Sequence, residues 1–158
     1  MQVTQWLTDE QQTSWRTFMF AQRRLNAALA RQLLTDSDLS IPDFEVLVLL
    51  TDVPDGKLRI TDMAQALDWE RSRLSHHLKR MGQRGLIGRA DCDDDGRGSY
   101  AVVTDEGRRV IEAAAPGHVN AVRHMVVDAL GASELATLAK LAAKIDAAVD
   151  DFETTGEV

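Results

Sequence analysis

Apolar side chains recur along most of this chain at the three- and four-residue spacing that gathers them on one face of a helix. Trp15, Phe18, Leu25, Leu29 and Leu33 trace the first such stripe, with Gln22 in register. It predicts a helix from a cap at Thr8 to about Leu34. Asp9 and Glu10 suit the positive end of its dipole, and Asp36-Ser37-Asp38 breaks it. Pro42 stands where a first helical turn tolerates proline, and Phe44, Val46, Leu47, Leu49 and Leu50 make the second helix strongly apolar. After the turn Pro54-Asp55-Gly56, Lys57 to Ile60 reads as a short strand. Thr61 is the expected cap of a third helix carrying Met63, Ala64 and Leu67. Asp68 is the expected cap of a fourth, in which Leu74, Leu78 and Met81 share one face. Gly85 stops that helix. Leu86 to Ala90 and Ser99 to Val103 read as the two strands of a hairpin around a turn-rich loop, Asp91 to Gly98.

Helix returns at Thr104-Asp105-Glu106-Gly107 and runs to about Leu130. A kink or brief break is expected at Pro116-Gly117, because proline removes one backbone donor. A last helix starts after Gly131, with Ser133 as its expected cap. In it Leu135, Leu138, Ala142, Ile145, Val149 and Phe152 follow a 3-4-3-4-3 spacing, a narrow seam suited to packing against another helix. The long terminal helices carry more apolar surface than a small central unit of short helices and a hairpin can bury. Pairing with the same helices of a second copy is the economical solution.

Charge sharpens the picture. The 158-residue chain carries 18 Lys+Arg against 25 Asp+Glu, a formal net charge of -7, yet no acid lies between Arg71 and Ala90. Arg71, Arg73, Lys79, Arg80, Arg84 and Arg89 make that stretch a basic block in an acidic protein. Such a block is a local field that a polyanion feels within about a Debye length, roughly 8–10 Å in physiological salt. On the fourth helix Ser72, His76, Lys79, Arg80 and Gln83 lie opposite the apolar face, with Arg73 and Ser75 on its flanks. Followed by a hairpin tipped with Arg97, this helix meets the needs of a winged helix-turn-helix: it can enter a major groove while the hairpin reaches an adjacent minor groove. A solvated cationic face on an ordinary amphipathic helix would explain the charges but not the basic hairpin tip. A winged-helix module that binds a protein partner on this surface is the rival reading, and the acid-free block with Arg97 favours a phosphate backbone instead.

Other chemistry finds little footing. The sequence holds no nucleophile elbow, phosphate loop or metal triad, so neither enzyme activity nor a cofactor is expected. The single cysteine, Cys92, excludes an intramolecular disulfide and a cysteine-based zinc site. Its neighbours Asp91, Asp93 and Asp94 discourage the thiolate, which favours an incidental cysteine over a redox sensor. The same acids look like the start of a calcium loop, but the glutamate that would close a twelve-residue loop is missing and the flanks read as strands. His76 and His77 point about 100° apart on a helix and would not chelate one ion together. His76 faces the expected DNA, and His77 leans toward the core edge. His118 and His124 have a poor ligand spacing. The N-terminus lacks a secretory pattern and no run of 18 apolar residues occurs, so a soluble, cytoplasmic protein away from any membrane is expected.

Four segments carry a likeness to known proteins: Leu67-Asp68-Trp69-Glu70-Arg71-Ser72-Arg73-Leu74-Ser75-His76-His77-Leu78, Arg84-Gly85-Leu86-Ile87, the wing segment Asp95-Gly96-Arg97-Gly98, and Val103-Thr104-Asp105-Glu106-Gly107. Together they resemble the MarR (multiple antibiotic resistance regulator) winged helix-turn-helix transcription factors over nearly the full length. The resemblance implies a mainly α (α+β) fold in one domain over residues 1–158. Residues of about 1–35 and 108–153 would form dimerisation helices, and about 40–104 the winged helix-turn-helix lobe. It further implies an obligate homodimer on a pseudo-palindromic operator in double-stranded DNA, acting as a repressor of its own or neighbouring genes. A small aromatic or acidic effector would weaken that binding. By the same resemblance Ser75, His76 and Arg80 contact DNA, Arg97 enters the minor groove and Asp95 braces the wing. Arg71, Ser72, Arg73 and Lys79 complete the expected DNA-binding set. His76 stands where several relatives have arginine, so its base preference does not carry over. The first helix holds no cysteine, unlike the peroxide-sensing branch. Trp15, Phe18 and Phe44 are candidate ligand-binding aromatics, with Arg16 as a counter-charge. The plainer reading makes them, with Trp69, ordinary core aromatics.

Overall fold

A computed structural model describes residues 4–91 and 99–155. Cys92, Asp95 and Arg97 lie outside the described residues. Helices α1 (Asp9–Ser37) and α2 (Ile41–Asp52) precede strand β1 (Lys57–Arg59), helices α3 (Ile60–Ala66) and α4 (Arg71–Gln83), strands β2 (Ile87–Asp91) and β3 (Ser99–Val103), and helix α5 (Asp105–Val122). A π-helical turn, Arg123–Val127, leads into α6 (Asp128–Thr155). The chain divides into two compact units, one ending at His118 and the other starting at Val119. No helix among the described residues is long and apolar enough to cross a membrane.

In the first unit β3 lies between β1 and β2 in an antiparallel sheet, with Leu58 opposite Ala101 and Ala101 opposite Arg89. Strand side chains alternate between faces. Ile87, Ala101 and Val103 therefore turn into the core, while Lys57 and Arg59 lie on the other face over the Tyr100 ring, at 5.3 and 5.6 Å. The core gathers Val46, Leu47 and Leu50 of α2, Met63 of α3, Leu74, Leu78 and Met81 of α4, and Ile111 of α5. The α3–α4 pair with the β2–β3 hairpin is a winged helix-turn-helix, set among long helices in a mainly α chain.

Local chemistry accounts for the ends of these elements. Thr8 and Ser40 close reciprocal capping boxes with Gln11 and Asp43 at the starts of α1 and α2, each satisfying two backbone donors that a helix start leaves free. Three helices stop at one residue in the left-handed region with a hydrogen bond closed around it, six-to-one at the second and third of them and one residue longer at the first. Asp38 (φ 54°), Asp68 (φ 51°) and Gly85 (φ 73°) occupy that position, and the closing bonds run from Leu39 N–H to Leu33 C=O, Trp69 N–H to Ala64 C=O and Leu86 N–H to Met81 C=O.

Several sequence expectations change here. Asp68 does not cap α4; it terminates α3, and Glu70 occupies the N-cap of α4 without a side-chain bond. Thr61 does not cap α3, because β1 runs straight into that helix at Ile60; its hydroxyl donates to Asp62 instead. Helix α1 continues to Ser37, three residues past the expected end, as the stop needs the left-handed Asp38. Pro116 sits inside α5 without ending it, and the unexpected irregularity is the π-helical turn that follows; the non-helical Gly131 (φ 70°, ψ 172°) stands where the sequence puts the start of the last helix.

Two contacts fix the root of the wing. The Thr104 hydroxyl donates toward the carbonyls of Gly85 (2.7 Å) and Leu86 (3.0 Å) and accepts from Gly107 N–H at 3.0 Å. It thereby caps α5 and ties it to the end of α4. The Gly107 backbone lies so close to the Leu86 carbonyl that a Cβ would collide with it, which accounts for glycine at that point of the sequence.

The interior also holds a carboxylate. Asp43, 5% exposed, approaches His77 Nε2 at 3.0 Å and accepts from Arg84 Nη1 at 2.9 Å and Ser40 N–H at 3.0 Å. Arg84 continues to the Asp38 carbonyl. Burial alone would raise the Asp43 pKa, but the bonds from His77, Ser40 and Arg84 outweigh it and hold the carboxyl far below the usual range. A carboxylate whose pKa falls on folding adds stability above its unfolded pKa and loses it as pH drops toward the folded value. Asp43→Ala should therefore cost about 3–5 kcal/mol near neutral pH, the scale for breaking a buried ion pair. Denaturant titrations of parent and Asp43→Asn should converge as pH falls from about 4 to about 2, since only the parent loses this contribution there. Parallel curves across that interval would show that Asp43 is not the stabilising anion.

Candidate nucleic-acid interface

Helix α4 is divided sharply by burial. Leu74, His77, Leu78 and Met81 face inward, while Arg71, Ser72, Arg73, Ser75, His76, Lys79 and Arg80 are exposed. The buried positions fall every three or four residues, so the polar set is left as one continuous outward surface. That surface carries four cations and no carboxylate. Ser75, His76 and Lys79 stand free at its centre among the described residues. Arg89 is exposed on β2. Asp62, Asp68 and Glu70 gather beside the start of α4 along an open hollow, so the positive surface begins at Arg71 and not before it.

Two of the cations are held from behind. Arg73 lies 4.5 Å from the Trp69 ring centroid, and Arg80 Nη2 stands 3.0 Å from His77 Nδ1. Trp69 meets His77 edge-on at 5.4 Å. Arg84, read from the sequence as a source of phosphate attraction, is committed to Asp43 and Asp38 from the helical C-cap of α4. The sequence reading overlooked Asp43. A Ser-x-x-Asp pair ahead of an apolar run is a visible capping signature, but nothing in it signals that the same carboxylate reaches a histidine on another helix.

The expected ligand-binding residues are not brought together. Phe44 packs against His118, with centroids 4.4 Å apart and the rings tilted by 43°, and both line a cleft of about 290 Å³ with Leu29, Leu33, Ile41 and Val48. Burial holds the His118 imidazole below its ordinary pKa, and its Nδ1 stands 3.3 Å from Gln32 Oε1. Trp15, Arg16 and Phe18 lie far up α1 from this cleft, exposed to solvent. Trp15 and Phe18 pair with each other at 6.1 Å, and Arg16 bonds to Gln12.

Each unit leaves apolar surface uncovered within the chain. Trp6, Leu7, Trp15, Phe18 and Phe20 are exposed in the first unit, and Leu138, Leu141, Ile145, Val149 and Phe152 in the second, each at least 41% accessible. A run of this size is uncommon on a monomeric protein and marks a surface made for contact.

No family model matches the chain, and no curated protein matches it. Among solved structures, AbsC, a MarR family transcriptional regulator from Streptomyces coelicolor, is 35% identical over 94% of this chain and 99% of its own, with a TM-score of 0.89. A second MarR family transcriptional regulator of that organism, solved in complex with DNA, is 38% identical over 91% of this chain and 90% of its own, with a TM-score of 0.88. The transcriptional regulator PcaV, again from Streptomyces coelicolor and in complex with its natural ligand, is 26% identical over 81% and 90%, with a TM-score of 0.70. Identity at this level, sustained over almost the whole length of both partners and joined to the winged helix-turn-helix built above, places the chain in the MarR family of DNA-binding transcriptional regulators.

Proposed function

We propose that this protein is a sequence-specific repressor that binds a pseudo-palindromic operator as a homodimer, through the exposed face of α4 and the wing. The observation that carries the proposal is the acid-free, outward surface of α4 on an otherwise acidic chain. Arg71, Arg73, Lys79 and Arg80 supply phosphate attraction and base contacts, Ser72, Ser75 and His76 supply hydrogen bonds to base edges, and Arg97 and Asp95, which lie outside the described residues, keep the minor-groove and wing roles that the family resemblance implies. The relative crystallised on DNA supports the same use of the fold. The apolar seam of α6 and the exposed aromatics of α1 support self-association, because a second copy offers the same surface in return. A small aromatic acid as effector is supported by the cleft beneath Phe44 and His118 and by the ligand-bound relative.

Three measurements test this reading. Binding to the operator should fall steeply with salt, as counterion release requires; a protein-binding module would show no such slope on DNA. His76→Ala should erode preference among base pairs more than affinity for scrambled DNA, whereas Arg97→Ala should weaken operator binding by about 1–3 kcal/mol with the melting temperature unchanged. Equal losses on operator and scrambled duplexes would remove His76 from the base-reading set.

Ile145→Glu, at an exposed seam position, should convert the dimer to monomer in sedimentation and abolish tight operator binding with it. A variant that stays dimeric would show that the seam of α6 is not the interface. With the parent dimer, the two half-sites should lie about one helical turn, roughly 10–10.5 bp, apart.

Calorimetry with a panel of aromatic acids should find one that binds more tightly without operator. A coupling of about 1–3 kcal/mol would correspond to roughly 5–150-fold weaker DNA binding, with the same factor acting in reverse on the ligand. Phe44→Ala should weaken the ligand alone; a compound bound equally with and without DNA would not be an effector.

A further inference from the structure

The imidazole of His77 is buried behind the DNA-facing side of α4 and meets charged or aromatic groups from three directions. From α2, Asp43 Oδ1 stands 3.0 Å from Nε2. From α4 itself, Arg80 Nη2 stands 3.0 Å from Nδ1. From the turn before α4, the Trp69 ring stands perpendicular to the imidazole with centroids 5.4 Å apart and carries Arg73 at 4.5 Å from its own centroid. The hydrogen positions follow from the partners. A guanidinium only donates, so Nδ1 accepts, and the neutral ring then carries its hydrogen on Nε2, the atom beside the carboxylate. Asp43 cannot readily turn away, because Ser40 and Arg84 hold its other oxygen. Arg73 and Arg80 are seven residues apart, two turns along one side of α4.

We propose that His77 is a positioning residue for DNA recognition: Asp43 sets its tautomer and ring orientation, and the ring holds Arg80 directly and Arg73 through Trp69 in the orientation from which they meet the duplex. The inference rests on the reading of α4 as the DNA-contacting helix. Its physical basis is preorganisation. A guanidinium has five N–H donors, so one bond to Nδ1 leaves the others for a base or phosphate, while the side chain has less rotamer freedom left to lose on binding. The residue that aims the contact is thus itself out of reach of DNA.

Two substitutions separate aiming from filling. In His77→Asn the amide oxygen lies as many bonds from Cα as Nδ1 and can still accept from Arg80. His77→Gln reaches past that point toward Asp43 and leaves Arg80 without its acceptor. Anisotropy titrations would use the full chain with a duplex selected by the parent protein from random sequence, and with a scrambled duplex. Arg80→Ala should weaken binding to the selected duplex by about tenfold or more. His77→Gln should lose much of the same factor, and His77→Asn should stay within about twofold of the parent. Combined with Arg80→Ala, His77→Gln should add almost nothing, because the side chain it aims is already gone. Equal losses for the Asn and Gln variants, or a Gln loss that adds in full to Arg80→Ala, would show that His77 merely packs and would overturn the proposal. If Arg80→Ala bound like the parent, the reading of the α4 face would fail and the proposal with it; an Arg80 effect uncoupled from His77 would remove the proposal alone. Should His77→Gln melt well below the parent, the same titrations at a temperature where the melting curves show both proteins fully folded would carry the same two outcomes.

Discussion

Taking a carboxylate out of water costs several kcal/mol unless its lone pairs and its charge are answered on site. Asp43 meets that requirement from three parts of the chain at once: the capping serine of its own helix, the imidazole of α4, and the arginine that ends α4. The geometry leaves little freedom. Shifting α4 by one residue along its axis would turn His77 about 100° away and leave Asp43, His77 and Arg84 unsatisfied together. An apolar helix interface tolerates such slips more readily, because one leucine substitutes for another. Here a polar contact fixes the register in which α4 lies on α2.

That register also sets the direction of the outward face of α4. The inward positions of α4 are fixed by Leu74, Leu78 and Met81 on one side and His77 on the other, so the outward positions have no choice of direction. At the far end Thr104 ties the wing and the start of α5 to the carbonyls of Gly85 and Leu86. Both ends of the winged helix-turn-helix are thus anchored by hydrogen bonds that span elements distant in sequence. The residues on the outward face of α4 are solvent-exposed and have few packing contacts of their own. The anchoring must therefore come from behind them.

Much of the fold was legible because hydrophobic spacing reports burial directly. The face of α4, the strand β3 and the apolar second helix were placed from spacing alone, and the MarR likeness followed from short segments around them. What could not be read were the places where a side chain has two possible employments. Asp68 before an amphipathic helix looks like a cap, yet the backbone uses it to end the previous helix; only its φ distinguishes the two. Arg84 looks like one more cation in a basic block, yet it points back to Asp43. Trp15, Phe18 and Phe44 share an aromatic character that suggests a common site, but Phe44 lines the cleft while the other two lie about two turns or more from it along α1. Periodicity specifies which face a residue occupies and carries no information about its long-range partner.

The three left-handed helix ends differ in what they give up. Gly85 adopts that conformation freely, whereas a residue with a Cβ pays on the order of 1–2 kcal/mol, less for aspartate than for most. At Asp38 the strain is offset, since its carbonyl and carboxylate receive Arg84. At Asp68 no side-chain partner is present among the described residues. The chain therefore carries unrelieved conformational energy at the joint between the two helices of its DNA-reading pair. A protein that keeps a stiff, negatively charged residue where a glycine would relax the backbone has not been tuned for maximal stability at that joint. Its thermal tolerance has room to rise there without any contact of the core being altered.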